Sequence, residues 1–141
     1  MSKRDVSIVI FHDNLGNIIF QERKEHSRVG EKYGFFGGGL EDNETKEEAI
    51  KRELKEELGF VPESLNYWTD YSFIVGEENN YKGWQINLYV FLSPITKDLD
   101  TAVVNEGGII KMNIKEAVKN NLFSHYDLDL LSRLMIKLDI K

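Results

Sequence analysis

Residues 37 to 60, GGGLEDNETKEEAIKRELKEELGF, constrain the fold more than any other stretch, because they spell out a helix with both ends marked. Thr45 stands before a run free of Gly and Pro, Glu48 follows three residues on as a capping-box partner, and Gly59 occupies the place of a C-terminal cap. At about 100° per residue, Ile50, Leu54 and Leu58 form one apolar stripe, so the helix has to lie on a partner surface. Glu53, Glu56 and Glu57 fall within an adjacent arc of roughly 100°. Lys51 and Lys55 lie on the far side, and Ala49, inside the arc, is too small to cover it. Like-charged pairs at these spacings cost roughly 0.3 kcal/mol each. A solvated, glutamate-rich face is the ordinary explanation of such a helix. Here the repulsion is unrelieved and lies beside a glycine turn, which points to a hard divalent cation as the missing counter-charge.

The partner surface is legible as strands. Val6, Ile8 and Ile10 alternate with Ser7 and Val9, the turn Asn14-Leu15-Gly16-Asn17 follows, and residues 18–23 read as the hairpin partner. After a charged, Gly-containing loop over residues 24–32, residues 33–36 make a short aromatic strand. Further strands are expected at 67–75, 84–92 and 109–113, and helices at 114–120 and 127–138. This order of strands and helices predicts an α+β fold with a mixed sheet. The chain has no internal repeat or linker-like tract, and its two prolines, Pro62 and Pro94, fall near element ends. A single domain over residues 1–141 is the simple expectation, long enough to bury roughly two thirds of its unfolded surface.

Composition removes whole classes of function. With 41% hydrophobic and 30% charged residues the chain reads as globular. The absence of cysteine excludes disulfides, thiolate catalysis and cysteine-ligated zinc. A net charge of -6 argues against a nucleic-acid-coating surface, yet leaves room for an acidic pocket that holds phosphates through metal ions. No apolar run approaches the roughly 20 residues of a membrane span, and the opening MSKRDVSIVIF lacks a signal-peptide cleavage pattern, so a cytoplasmic location is expected.

The spacing inside the helix is specific. Gly38, five residues, Glu44, seven residues, Arg52-Glu53-Leu54, one residue, Glu56-Glu57, one residue, Gly59-Phe60 resembles at every fixed position the box of the Nudix hydrolases, a MutT-like family. At background frequencies a chance match is on the order of one in ten million. The strand before the glycines, the Arg-bearing second strand and Asn105-Glu106-Gly107-Gly108 resemble the family as well. The resemblance implies an α/β/α sandwich that hydrolyses a nucleoside diphosphate linked to a further group, with Mg²⁺ or Mn²⁺. It also implies Glu53, Glu56 and Glu57 as metal ligands, one of them a candidate base, and Gly37 and Gly38 as a turn that brings a backbone carbonyl close to the metal. Glu44 and Arg52 resemble the family's structural ion pair. Glu106 resembles an acidic residue brought to the metal from a distant loop, with Glu77 and Glu78 as rival donors and a simple turn glutamate as the plain alternative. Arg23 resembles a phosphate-holding position, a task that suits a guanidinium, although a surface ion pair would explain it too.

Phe36 stands where many family members place Pro, and some relatives that sanitise oxidised purine nucleotides also carry Phe. Glu41 matches a frequent acidic position but reads equally well as a solvated loop residue. His12, His26 and His125 share no metal-like spacing. Any of Trp68, Tyr81 and Trp84 could stack on a base, though packing accounts for each. The glycines fit neither a P-loop nor a GxGxxG fingerprint, and residues 42–53 fail the calcium-loop pattern. The expected substrate is a small nucleotide: a nucleoside triphosphate, oxidised or not, cut to monophosphate and pyrophosphate. Nucleotide sugars and capped RNA ends stay open, as does a Nudix-fold sensor that binds without cleaving. Relatives occur as monomers and homodimers.

Overall fold

The computed structural model describes residues 2–23, 32–76, 81–100 and 108–140. Strand β1, Lys3–His12, turns into β2, Asn17–Glu22, through a tight connection. Asp13 organises that connection, its Oδ1 accepting the N–H groups of Leu15 at 2.8 Å and Asn17 at 2.9 Å, and Gly16 supplies a φ of +85°. Two short strands follow, β3, Tyr33–Gly34, and β4, Phe36–Gly39, before helix α1, Lys46–Leu58. Strands β5, Asn66–Ile74, and β6, Gln85–Pro94, lead to a 3₁₀ turn, Lys97–Asp100. Strand β7, Ile109–Asn113, then runs into helices α2, Ile114–Ala117, and α3, His125–Lys137.

The described strands form one seven-stranded sheet in the order β3-β2-β1-β6-β5, with β4 on β1 and β7 on β2. The long β1–β6 pair is parallel, from Lys3↔Gln85 to His12↔Pro94, and the other pairs are antiparallel, so the sheet is mixed. The alternation along β1 sends its side chains into two cores. Val6, Ile8 and Ile10 pack with Leu130, Leu131 and Leu134 of α3, whereas Val9 and Phe11 pack with Ile50, Leu54 and Leu58 of α1. The result is a sheet with helices on both faces. Among the described residues no helix is long and apolar enough to cross a membrane.

Helix α1 has the ends its sequence predicts. Thr45 Oγ1 accepts the Glu48 N–H at 3.1 Å, Glu48 Oε1 accepts the Thr45 N–H at 3.0 Å, and Gly59 sits at φ +84°. Three expectations need correction. The aromatic strand of residues 33–36 is broken at Phe35 into β3 and β4, which pair with different neighbours. Gly37, Gly38 and Gly39 are strand residues rather than a turn, because Ile8, Ser7 and Val6 of β1 pair with them in register. The helix expected over 114–120 stops at Ala117. Phe36 is fully buried edge-on to Phe11, with ring centroids 6.3 Å apart, so it is part of the α1-side core.

Candidate functional site

Helix α1 packs its glutamate face against the edge strand of glycines. Glu57 reaches furthest inward: its Oε1 accepts the Gly37 N–H at 3.0 Å and its Oε2 accepts Gln21 Nε2 at 3.2 Å. Burial pushes the Glu57 carboxyl up to about 7, and the Glu53 charge adds to this, against the hydrogen bonds and the Arg23 charge. Glu53 lies over Gly38, where a β-carbon would come within 2.4 Å of its carboxylate. Burial raises the Glu53 carboxyl too, with the Glu56 and Glu44 charges contributing and Arg52 opposing. At Gly37 an added β-carbon would meet the Ser7 carbonyl oxygen at 2.1 Å, and its φ of +144° favours glycine in any case. The glycines are therefore what allows a helix carboxylate to lie directly on the strand.

Arg52 anchors this arrangement. Its Nε and Nη2 donate to the two oxygens of Glu44 at 2.8 and 2.9 Å, its Nη1 donates to Glu53 Oε1 at 2.8 Å, and Nη2 also donates to the Gly39 carbonyl at 3.0 Å. Hydrogen bonding from Arg52 holds the Glu44 carboxyl down at about 2. Glu41 and Glu56 stand 3.7 Å from Arg52 Nη1. The carboxylate arc is thus not unrelieved, because Arg52 at the middle of α1 reaches along the helix to Glu53 and Glu56. Nor do its members converge. Glu57 turns into the sheet, Glu53 lies on Gly38, and the Glu56 side chain is 61% exposed. Among the described residues no three acidic or histidine side chains gather at one point. Glu106, Glu77, Glu78 and His26 lie outside the described residues.

On the α3 side of the same glycine strand lies a cleft of about 130 Å³ that opens to solvent. Its floor is Val6, Ile8, Ile86 and Leu88 of β1 and β6. Aromatic walls come from Phe35, Tyr81 and the stacked pair Phe73 and Tyr126, whose ring centroids lie 3.8 Å apart. Ser124, which caps α3 by accepting the Asp127 N–H at 3.2 Å, and Asp127 itself give the cleft a polar edge. Arg23 enters it with Nη2 bonded to the Phe35 carbonyl at 2.8 Å, packed over Gly34 where a β-carbon would lie 2.0 Å from Nε. Gly37 and Gly38 line the cleft as well, so the carboxylate pair and the cleft share one strand.

Of the residues read as base-stacking candidates, Tyr81 lines the cleft, Trp84 packs edge-on to Tyr81 at 5.2 Å, and Trp68 packs against the α3-side core. His12 and His125 stay apart, the first beside the Asp13 carbonyl and the second against the Tyr126 ring. Sequence reasoning missed Phe73, Ser124, Tyr126 and Asp127. The serine three residues before Asp127, a helix-capping signal, was the one local pointer to that end of the cleft.

Comparison with known proteins agrees with this architecture. The family model described as NUDIX domain matches residues 1–128, and the chain belongs to that family. It is 41% identical over 61 residues to an 8-oxo-dGTP diphosphatase of Proteus vulgaris, covering 42% of this chain and 54% of that protein. It is 32% identical over 66 residues to the 8-oxo-dGTP diphosphatase of Escherichia coli (strain K12), covering 47% and 51%. The match spans about half the length of these curated relatives. Among solved structures, a MutT protein from Methanosarcina mazei Go1 has a TM-score of 0.75 at 17% identity, covering 99% of this chain and 97% of that one. The E. coli ORF135 protein has a TM-score of 0.70 at 24% identity, covering 96% and 91%. These similarities establish the fold as MutT-like Nudix.

Proposed function

We propose that the chain, acting as one domain over residues 1–141, hydrolyses the pyrophosphate linkage of a nucleoside triphosphate, oxidised purine forms included, to monophosphate and pyrophosphate. The observation that carries this reading is the shared glycine strand. On one side it presents the Glu53 and Glu57 carboxylates, and on the other it borders an aromatic-walled cleft. The 8-oxo-dGTP diphosphatases similar to this chain support the choice of substrate.

Glu53 and Glu57 are both raised above the usual carboxylate range by burial, which is a donor set that a hard divalent cation would relieve. Mg²⁺ or Mn²⁺ would be held by Glu53, Glu56 and Glu57 with the glycine strand, and by Glu106. Such an ion supplies neutralisation of phosphate charge and a more acidic water. Arg52 holds Glu53 in place through its 2.8 Å bond, and Glu44 in turn fixes Arg52 from two oxygens. Arg23 grips the phosphates from the cleft side, where its guanidinium geometry suits their oxygens. Glu57 accepts the proton as water adds to phosphorus and the bridging P–O bond breaks, pyrophosphate leaving. Ser124 and Asp127, which line the cleft, would face the edge of the base.

The test is a panel of nucleoside triphosphates, 8-oxo-purine triphosphates, nucleotide sugars and capped RNA ends with Mg²⁺, products read by chromatography. Monophosphate and pyrophosphate from a triphosphate, abolished by exhaustive EDTA and restored by Mg²⁺, is the expected result. Binding without turnover of any member would make the chain a sensor instead.

A further inference from the structure

Arg4 has no part in the chemistry above, yet its placement is costly and specific. It lies on β1 two residues before Val6, on the same sheet face as Val6 and Ile8, which floor the cleft. Its Nη1 donates to the Tyr81 hydroxyl at 2.9 Å, and its guanidinium carbon lies 5.0 Å from the centroid of the same ring. The guanidinium therefore holds Tyr81 in two ways, by its hydroxyl and by its face. Across β4 it packs on Gly39, where a β-carbon would come 3.0 Å from Nη2. Its Nε is buried with no hydrogen-bond partner among the described residues.

Stability does not explain such a residue. Arg4 is half-buried, and a guanidinium with its Nε buried and unsatisfied loses in desolvation much of what its contacts contribute to folding. The backbone at Tyr81 is already fixed by the turn, since its carbonyl accepts the Trp84 N–H at 2.8 Å and the Gly83 N–H bonds the Val75 carbonyl at 3.0 Å. What the turn leaves undetermined is the direction of the Tyr81 side chain; the edge-on Trp84 ring packs against it, and the Arg4 guanidinium holds its hydroxyl and its face. A ring ordered before the ligand arrives costs nothing further to order on binding, and that difference appears as affinity.

We propose that Arg4 is a positioning residue for base binding, which acts by fixing the Tyr81 ring as a wall of the cleft. This rests on the reading of the cleft as the base site, and the experiment keeps the two apart. Arg4→Met, Tyr81→Phe, the double variant and Arg4→Lys are assayed on the triphosphate that the wild type cleaves, and on ribose 5-triphosphate, which has the phosphates but no base. Arg4→Met raises KM for the nucleotide about tenfold with kcat within about twofold, leaves the kinetics on ribose 5-triphosphate unchanged, and melts at the same or a higher temperature than wild type. Tyr81→Phe keeps the ring but loses the hydroxyl that Arg4 donates to, and raises KM by a smaller factor. The double variant is no worse than Arg4→Met, because the two residues act as a unit. Arg4→Lys, which keeps a cation for the ring, recovers part of the loss. Equal KM effects on both substrates, a silent Arg4→Met, or additive single effects would overturn the proposal. Should Arg4→Met fail to fold, Tyr81→Phe alone decides, since its effect must be confined to the base-bearing substrate. A wild type that cleaves no nucleotide defeats the functional reading itself, before any variant is compared.

Discussion

The Glu57 carboxylate accepts the backbone N–H of Gly37 at 3.0 Å, which ties the acidic face of α1 to the edge of the sheet. A helix carboxylate normally stays in water, and burying one is unfavourable unless it is paired or coordinated. Here the partners are a backbone amide and the Gln21 side-chain amide, both neutral, so the carboxyl remains pushed up to about 7. The chain keeps a buried acid, raised well above the usual carboxylate range, against the strand that borders the cleft, a feature expected of a reaction site rather than of a core.

Glu57→Gln should lower kcat by at least about a hundredfold. Glutamine conserves volume, and Gln21 can turn its amide to accept from the new Nε2, so the fold is retained. Steady-state kinetics and a thermal melt on one sample check this; a fully active variant would remove Glu57 from the chemistry.

The same substitution makes a pH-dependent prediction about stability in metal-free protein. The native Glu57 carboxyl titrates near about 7, against a model-compound value of 4.5. Between these values the native state holds a proton that the unfolded state has released, so stability falls as pH rises through this window. The contribution is fully present below pH 4.5 and lost above about 7. Glu57→Gln lacks this titration, so its melting temperature relative to wild type should rise from pH 4.5 to pH 8, by an amount equivalent to about 3 kcal/mol. Melts in chelator at both pH values measure it. A wild-type-to-variant difference that does not change with pH would mean the carboxyl is not raised.

Helix α1 was legible in sequence because its determinants are local: Thr45 with Glu48 at one end, Gly59 at the other, and the stripe of Ile50, Leu54 and Leu58 between them. Strand β7 was legible for the same reason, its residues 109–113 being bounded by Gly108 and by the cap residue Asn113. The glycines misled, since nothing within residues 37–39 announces a strand. Their conformation comes from pairing with β1, some thirty residues earlier. The link from Arg52 to Glu53 was hidden by the rule that neighbours in sequence point apart on a helix, although a long guanidinium can fold along the surface to reach it; the Arg52–Glu56 pair, four residues apart, was legible from spacing and was overlooked. The cleft was least legible. Val6, Phe35, Phe73, Tyr81 and Tyr126 come from separate elements, and only the topology brings them together.

Gly37 and Gly38 should respond differently to alanine. At Gly37 the new β-carbon meets the Ser7 backbone at 2.1 Å with φ at +144°, so Gly37→Ala should destabilise the fold by more than about 2 kcal/mol. At Gly38 the nearest atoms are those of the Glu53 carboxylate, the end of a side chain that can swing away. Gly38→Ala should therefore melt near the wild type and lose most of its turnover. Parallel denaturation and kinetics decide, and an active Gly38→Ala would show that the Glu53 carboxylate does not need its seat on the strand.

The last prediction contrasts Arg23 with Glu106. Arg23 lies in the cleft beside Phe35, with one nitrogen committed to that carbonyl, and a guanidinium there grips substrate and transition state about equally. Arg23→Ala should therefore raise KM more than it lowers kcat. If Glu106 reaches the acidic centre from the loop before Gly108, its interaction belongs to the transition state, and Glu106→Gln should lower kcat more than it changes KM. Single Gln variants at positions 77, 78 and 106, measured for kcat and KM with the Arg23→Ala protein alongside, resolve both assignments. A silent Glu106→Gln beside a crippled variant at 77 or 78 would transfer the distant carboxylate to the loop before Tyr81, and a kcat-only effect of Arg23→Ala would move that arginine from substrate binding to the reacting phosphate.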